Sequence, residues 1–155
     1  MYEICLEGVI QMICIGSDHA AFELKNHIKE YLIKKGYEVK DAGVEAPISV
    51  NYPTYGEKVA RAVASGECEY GIVICGTGIG ISMAASRVKG IRCAVCTNNF
   101  MARLARQHNN ANVIALGARM IGSGIAEEMV DTFLTTEFEG GRHAVRVAML
   151  DEIEN

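Results

Sequence analysis

The sequence predicts a doubly wound α/β fold, with five parallel strands in one sheet and helices on both faces. Three observations carry that prediction. Apolar runs of about five residues alternate with stretches of helical periodicity along the chain, the pattern of repeated βα units. Runs such as Gly71 to Cys75 and Val113 to Gly117 are apolar throughout, as strands covered on both faces are. Finally, 155 residues at 50% hydrophobic and 22% charged suit one ordinary core, and no repeat, low-complexity tract or linker divides them.

The elements follow in order. Met12 to Gly16 reads as the first strand, and Glu23 to Lys35 as a helix whose apolar face carries Leu24, Ile28, Tyr31 and Leu32. Gly36 stops that helix. Tyr37 to Asp41 is a short strand, and Gly43 to Asn51 a long loop. Tyr55 to Ala64 is a helix opened by Pro53 and Thr54. After the strand Gly71 to Cys75 come a glycine turn, a helix from Ile81 to Val88, a strand Arg92 to Cys96 and a helix Asn99 to Gln107. Val113 to Gly117 is the fifth strand, followed by helices Gly124 to Thr135 and His143 to Ile153.

A net charge of -4 without a long basic block argues against nucleic acid or an anionic membrane as partner. The apolar runs fall far short of the roughly 18 residues a membrane span needs. Met1 to Gln11 has two acids, no base and no cleavage signal, and Met12 stands at the first strand, so those residues read as an appendage to a domain of residues 12–155. The six cysteines lack the spacing of a disulfide framework, which points to a reducing cytoplasm.

In such folds ligands bind beyond the carboxyl ends of the strands. Those ends carry Ser17-Asp18-His19, Cys75 to Gly80, Thr97-Asn98-Asn99 and Gly117-Ala118-Arg119. Gly76, Gly78 and Gly80 have a GxGxG spacing that is neither a dinucleotide fingerprint nor a P-loop. Such a turn can present backbone N–H groups at a helix N-terminus to an oxyanion or phosphate, or can be a tight structural turn. Cys75, next to it, faces the positive end of the helix, which favours a thiolate, and Thr77 could orient the sulfur by hydrogen bond. Most thiols in apolar strands are inert, and the Cys93/Cys96 CxxC reads as structural. His27 falls on a helix surface, whereas His19, His108 and His143 lie beside loops. Arg142 and Arg146 stand one helical turn apart, as phosphate recognition or a solvated face would have them.

Gly16-Ser17-Asp18-His19, Asn51-Tyr52-Pro53, Cys75-Gly76-Thr77-Gly78-Ile79-Gly80-Ile81-Ser82, Arg106-Gln107-His108-Asn109 and Gly140-Gly141-Arg142-His143 occur in that order. Together, from Met12 nearly to the C-terminus, they resemble the ribose-5-phosphate isomerase type B family, within a wider group that includes galactose-6-phosphate isomerase subunits. The resemblance implies interconversion of ribose 5-phosphate and ribulose 5-phosphate without metal or organic cofactor. It makes Cys75 the base that moves a proton between C1 and C2, assisted by Thr77, with Gly76, Thr77, Gly78, Ile79 and Gly80 as anion hole. It makes His108 the ring-opening residue. Asp18, Tyr52 and Asn109 would hold sugar hydroxyls, and His19, Arg119, Arg142 and Arg146 the phosphate. It further implies a homodimer, or a dimer of dimers, with active sites shared between subunits. Ala21 and Ser86-Arg87 depart from the common Gly and Asn-Lys, outside these roles. A six-carbon sugar phosphate, such as allose 6-phosphate or galactose 6-phosphate, is the alternative substrate. A non-catalytic sugar-phosphate binding module would need neither Cys75 nor His108.

Overall fold

The computed structural model describes residues 11–153. Its strands are β1 (Met12–Ser17), β2 (Glu38–Asp41), β3 (Tyr70–Cys75), β4 (Cys93–Val95) and β5 (Val113–Gly117). Its helices are α1 (Phe22–Lys34), α2 (Tyr52–Ala64), α3 (Ile79–Ser86), α4 (Asn99–Gln107), α5 (Ser123–Thr135) and α6 (Arg142–Glu152), with one 3-10 turn at His19–Ala21. All strands pair in parallel in the order β2-β1-β3-β5-β4. The doubly wound α/β prediction holds.

Alternation of side chains along the central strands builds two cores. Ile13, Ile15, Ile72, Ile74, Ile114 and Leu116 pack under α1, α4 and α5. Cys14, Val73, Val113 and Ala115 pack under α2 and α3. Each isoleucine here is fully buried, so truncation to Ala costs about 2–5 kcal/mol. β5 lies between β3 and β4 and is buried throughout, while β4 is a three-residue edge strand, shorter than its apolar run suggests. α6 lies outside both layers, along the sheet edge where the strands begin. It is held there by an Arg92–Asp151 ion pair at 2.9 Å and by a ring stack of His143 on His108.

Differences from the sequence reading have local causes. Asp18 caps the 3-10 turn by accepting from the Ala20 N–H at 3.0 Å, so helical structure begins before Glu23. α2 starts at Tyr52 because Pro53 sits within its first turn, where its missing N–H costs nothing. The expected appendage lies outside the described residues except for Gln11, whose carbonyl already accepts from the Glu38 N–H.

The segment from Ala42 to Asn51, between β2 and α2, is tied down by a buried cation. Lys25 is 2% exposed, and its Nζ donates to both carboxylate oxygens of Asp41, at 3.1 and 2.9 Å, and to the Val44 carbonyl at 2.9 Å. Burial pushes the Asp41 carboxyl up, but hydrogen bonds from Lys25, the Gly43 amide and Lys29 outweigh it and hold the group below its usual range. The contribution of the pair is therefore present above about pH 4 and lost as pH falls through the depressed value. Asp41→Asn, which leaves the ammonium buried without its counter-charge, should cost about 3 kcal/mol in urea unfolding at pH 7. The penalty should shrink on acidification below about pH 4, where the wild type loses the same charge. A penalty that does not vary with pH would contradict an electrostatic role.

Candidate active site

The carboxyl ends of β1, β3 and β5 frame an open cleft of about 280 Å3, lined by Asp18, His19, Tyr52, Cys75, Gly76, Thr77, Gly80 and Arg119. That volume suits a small metabolite better than a dinucleotide. Asp18 is buried, and its N–H reaches the Ile74 carbonyl of β3 at 3.3 Å, which seats the β1 end beside Cys75. His19 accepts the Val50 N–H on Nδ1 at 3.2 Å. This bond requires the lone pair on Nδ1, so the neutral ring carries its proton on Nε2, where it can be donated to a ligand.

Cys75 is 5% exposed and ends β3 opposite Gly117. Its Sγ accepts the Gly78 N–H at 3.1 Å. Thr77, expected to orient the sulfur, instead accepts the Ile79 N–H on Oγ1 at 3.2 Å. The donor to sulfur is thus backbone, and the amides of Gly78 and Ile79 are engaged within the turn. Those of Gly80 and Ile81 lie in the first turn of α3, which offers no intrahelical acceptor, so they are the donors left for an anion.

Two glycines of the turn are dictated by space. Gly78 sits at φ +81°, and a Cβ there would come within 2.9 Å of the Leu116 backbone. A Cβ on Gly80 would strike the Tyr52 ring at 2.7 Å, so Tyr52 reaches the cleft only because residue 80 has no side chain. The tight-turn reading holds for this segment, and the amides of Gly80 and Ile81 are what an anion would have to use. The Arg119 side chain lies over Gly76, exposed, and makes no ion pair or hydrogen bond among the described residues, while the Arg119 backbone N–H donates to the Gly76 carbonyl at 3.0 Å.

The other expected residues are elsewhere. His108, Asn109, Arg142 and Arg146 cluster where α4 ends and α6 begins, at the edge where the strands start. The ladder from Gly71↔Val113 to Cys75↔Gly117 separates the two edges. It spans roughly 13 Å at about 3.3 Å per residue, far beyond the contact proton transfer needs. One chain does not bring Cys75 and His108 together. The side chains of Arg142 and Arg146 are exposed at the start of α6 and, among the described residues, make no hydrogen bond or ion pair. A larger cleft of about 430 Å3 lies near them, between β4 and the end of α6, but of the expected residues only Asn109 lines it.

Thr97-Asn98-Asn99 at the β4 end supplies a helix cap, with Asn98 Oδ1 accepting the Met101 N–H at 2.9 Å. His27 is a surface residue beside Glu127, as expected. Burial pushes the thiols of Cys14 and Cys93 up to about 12 and that of Cys96 to about 11, so these stay protonated and inert. Sequence reasoning missed Lys25, whose helical position gives no sign that it turns inward. It also missed Glu139, although that residue directly precedes the Gly140-Gly141-Arg142-His143 motif.

The pattern of the Ribose/Galactose Isomerase family matches residues 13–150. Ribose-5-phosphate isomerase B of Escherichia coli (strain K12) is 46% identical over 145 residues, covering 94% of this chain and 97% of that protein. D-erythrulose-4-phosphate isomerase of Pectobacterium atrosepticum is 44% identical, over 92% of this chain and 95% of its own. The solved structure of Clostridium thermocellum ribose-5-phosphate isomerase B superposes with a TM-score of 0.91 at 57% identity, covering 92% of this chain and 96% of that one. A match running from β1 through the glycine turn and into α6 leads to one conclusion: this chain belongs to the ribose/galactose isomerase family.

Proposed function

We propose that the protein interconverts ribose 5-phosphate and ribulose 5-phosphate through an enediolate. The observation that carries this reading is a thiol in a metabolite-sized cleft, next to a helix N-terminus and flanked by the Asp18 carboxylate, His19 and Arg119. In the reaction His108 opens the furanose ring by moving a proton between the ring oxygen and the C1 hydroxyl. Cys75 as thiolate then removes the C2 proton of the aldehyde and returns it to C1, while the proton of the C2 hydroxyl passes to the C1 oxygen. Negative charge that develops on the C1 oxygen is met by amide dipoles at the start of α3, which need no reorganisation as the charge forms. Asp18, Tyr52 and Asn109 hold hydroxyls, and His19, Arg119, Arg142 and Arg146 hold the phosphate. No step requires a metal or an organic cofactor.

The separation of Cys75 from His108 favours a site built from two copies, each contributing its carboxyl edge to one site and its α4–α6 corner to the other. The apolar surface such a pair would bury is present. Val145 and Met149 form an exposed stripe on α6, with exposed Ile153 just after it, and Ile79 and Met83 form another on α3. Free thiols at Cys14, Cys68, Cys75, Cys93 and Cys96, together with the need for a thiolate base, suit a reducing cytoplasm. The length of the sugar chain is set by what spans from Cys75 to the phosphate groups, and a five-carbon sugar is our choice over four or six.

Protein treated with chelator should convert ribose 5-phosphate at the untreated rate, and more slowly erythrose 4-phosphate and allose 6-phosphate. Cys75→Ala should lose about 10²- to 10⁴-fold in kcat, the usual worth of a positioned general base, while still binding substrate. Near-normal turnover in this variant would remove Cys75 from the chemistry. Arg142→Ala and Arg146→Ala should mainly raise KM for ribose 5-phosphate, because the phosphate is bound alike in ground and transition states. Free ribose, which has no phosphate to lose, should be handled as by wild type. Equal losses on both sugars would make these arginines structural.

A further inference from the structure

His143 is buried behind His108, and ring opening as described uses only the latter. The two rings are stacked, with centroids 4.2 Å apart and planes 8° from parallel. Nε2 of His143 lies 3.5 Å from a carboxylate oxygen of Glu139. Local backbone builds the arrangement. His108 caps α4, its N–H donating to the Leu104 carbonyl at 2.9 Å, and the Glu139 N–H donates to the Gln107 carbonyl at 3.0 Å, which pins the carboxylate beside the same helix end. Gly140 and Gly141 then take φ of +68° and +55°, turning the chain sharply into α6 so that its second residue, His143, meets His108.

Ligand atoms of His108, Glu139 and His143 fall within 4.8 Å of one another, as a metal site would have them. The stack argues against that use. Imidazole lone pairs lie in the ring plane, and an ion about 2.0–2.1 Å from one nitrogen in its plane would stand well outside the plane of a parallel, stacked ring. Arg142 and Arg146 also repel a cation from the start of the same helix.

We propose that Glu139 and His143 are a positioning pair for His108. The carboxylate orients the His143 ring, and the face of that ring holds His108 in the plane from which it exchanges a proton with the sugar. The inference rests on the ring-opening role given to His108 above. Surrounding charges support the division of labour. Burial lowers the His143 pKa, and His108, Arg142 and Arg146 lower it further against the opposing pull of Glu139, which favours the neutral ring. Arg106, a further charge on α4 near His108, is committed to Tyr70, Asn110 and the carbonyls of Thr136 and Ala111.

The test compares His143→Ala, His143→Phe, Glu139→Gln and His108→Ala in the intact protein. It measures isomerisation of ribose 5-phosphate, solvent exchange of the C1 proton of ribulose 5-phosphate, and histidine titration by nitrogen-15 NMR. Ribulose 5-phosphate cannot close a furanose ring, so its exchange bypasses ring opening. His143→Ala should slow isomerisation about 10- to 100-fold, as misplacement of a catalytic group does, and leave exchange near wild type. His143→Phe, which restores a flat ring, should recover most of that loss. Glu139→Gln should move the His143 titration to lower pH. Equal losses in isomerisation and exchange, no rescue by Phe, or an unmoved His143 titration would overturn the pairing. If His108→Ala itself loses both activities equally, it is the ring-opening reading that fails, and the rescue and the titration still judge the pairing.

Discussion

Parallel pairing makes every strand of this sheet end at one edge and every returning helix end at the other. The rest of the site follows from that constraint. Asp18, Cys75 and Arg119 come together because each follows a strand, and β1, β3 and β5 are neighbours in the sheet. His108 and Asn109 cannot join them, because they end a helix that has travelled back to the start of β5. A catalytic apparatus that needs both groups is divided by topology, and a symmetric second copy is the simplest way to reunite it. The same constraint puts α6 outside the two packed layers, where its apolar stripe finds no cover among the described residues.

Preorganisation of the carboxyl edge depends on a few polar contacts in places where water is scarce. Lys25 reaches under the segment after β2 and holds it through Asp41 and Val44, and His19 holds the far end of that segment through the Val50 amide. Between them they deliver Tyr52 to the top of α2, where it lies against Gly80. Cys75 is placed in the same way, by strand register and by one amide donor rather than by a mobile side chain. Such placement leaves little to reorganise, which suits the electrostatic stabilisation proposed above for an enediolate.

Much of this was legible in the sequence. Apolar runs located the five strands, and the residues after them marked the cleft. What could not be read depends on distance across the fold. The placement of β5 between β3 and β4 leaves no trace in periodicity, since both β4 and β5 are apolar. Lys25 lies on an ordinary helical face, and only the path of the segment after β2 turns it into a buried clamp. Thr77 was a reasonable partner for the sulfur by spacing alone, but the left-handed conformation of Gly78 brings its amide to the sulfur first. Glu139 stands beside a motif without belonging to it, and its place depends on the turn made by Gly140 and Gly141.

The division of the site between two chains is most directly tested by mixing unfolded Cys75→Ala and His108→Ala chains and refolding them together. With shared sites, a mixed dimer collects both substitutions in one site and leaves the other intact. Activity should then return to about a quarter of wild type at random pairing, although each parent alone is severely impaired. If each site belonged to one chain, every site in the mixture would carry a substitution, and the absence of any recovery would contradict the shared arrangement.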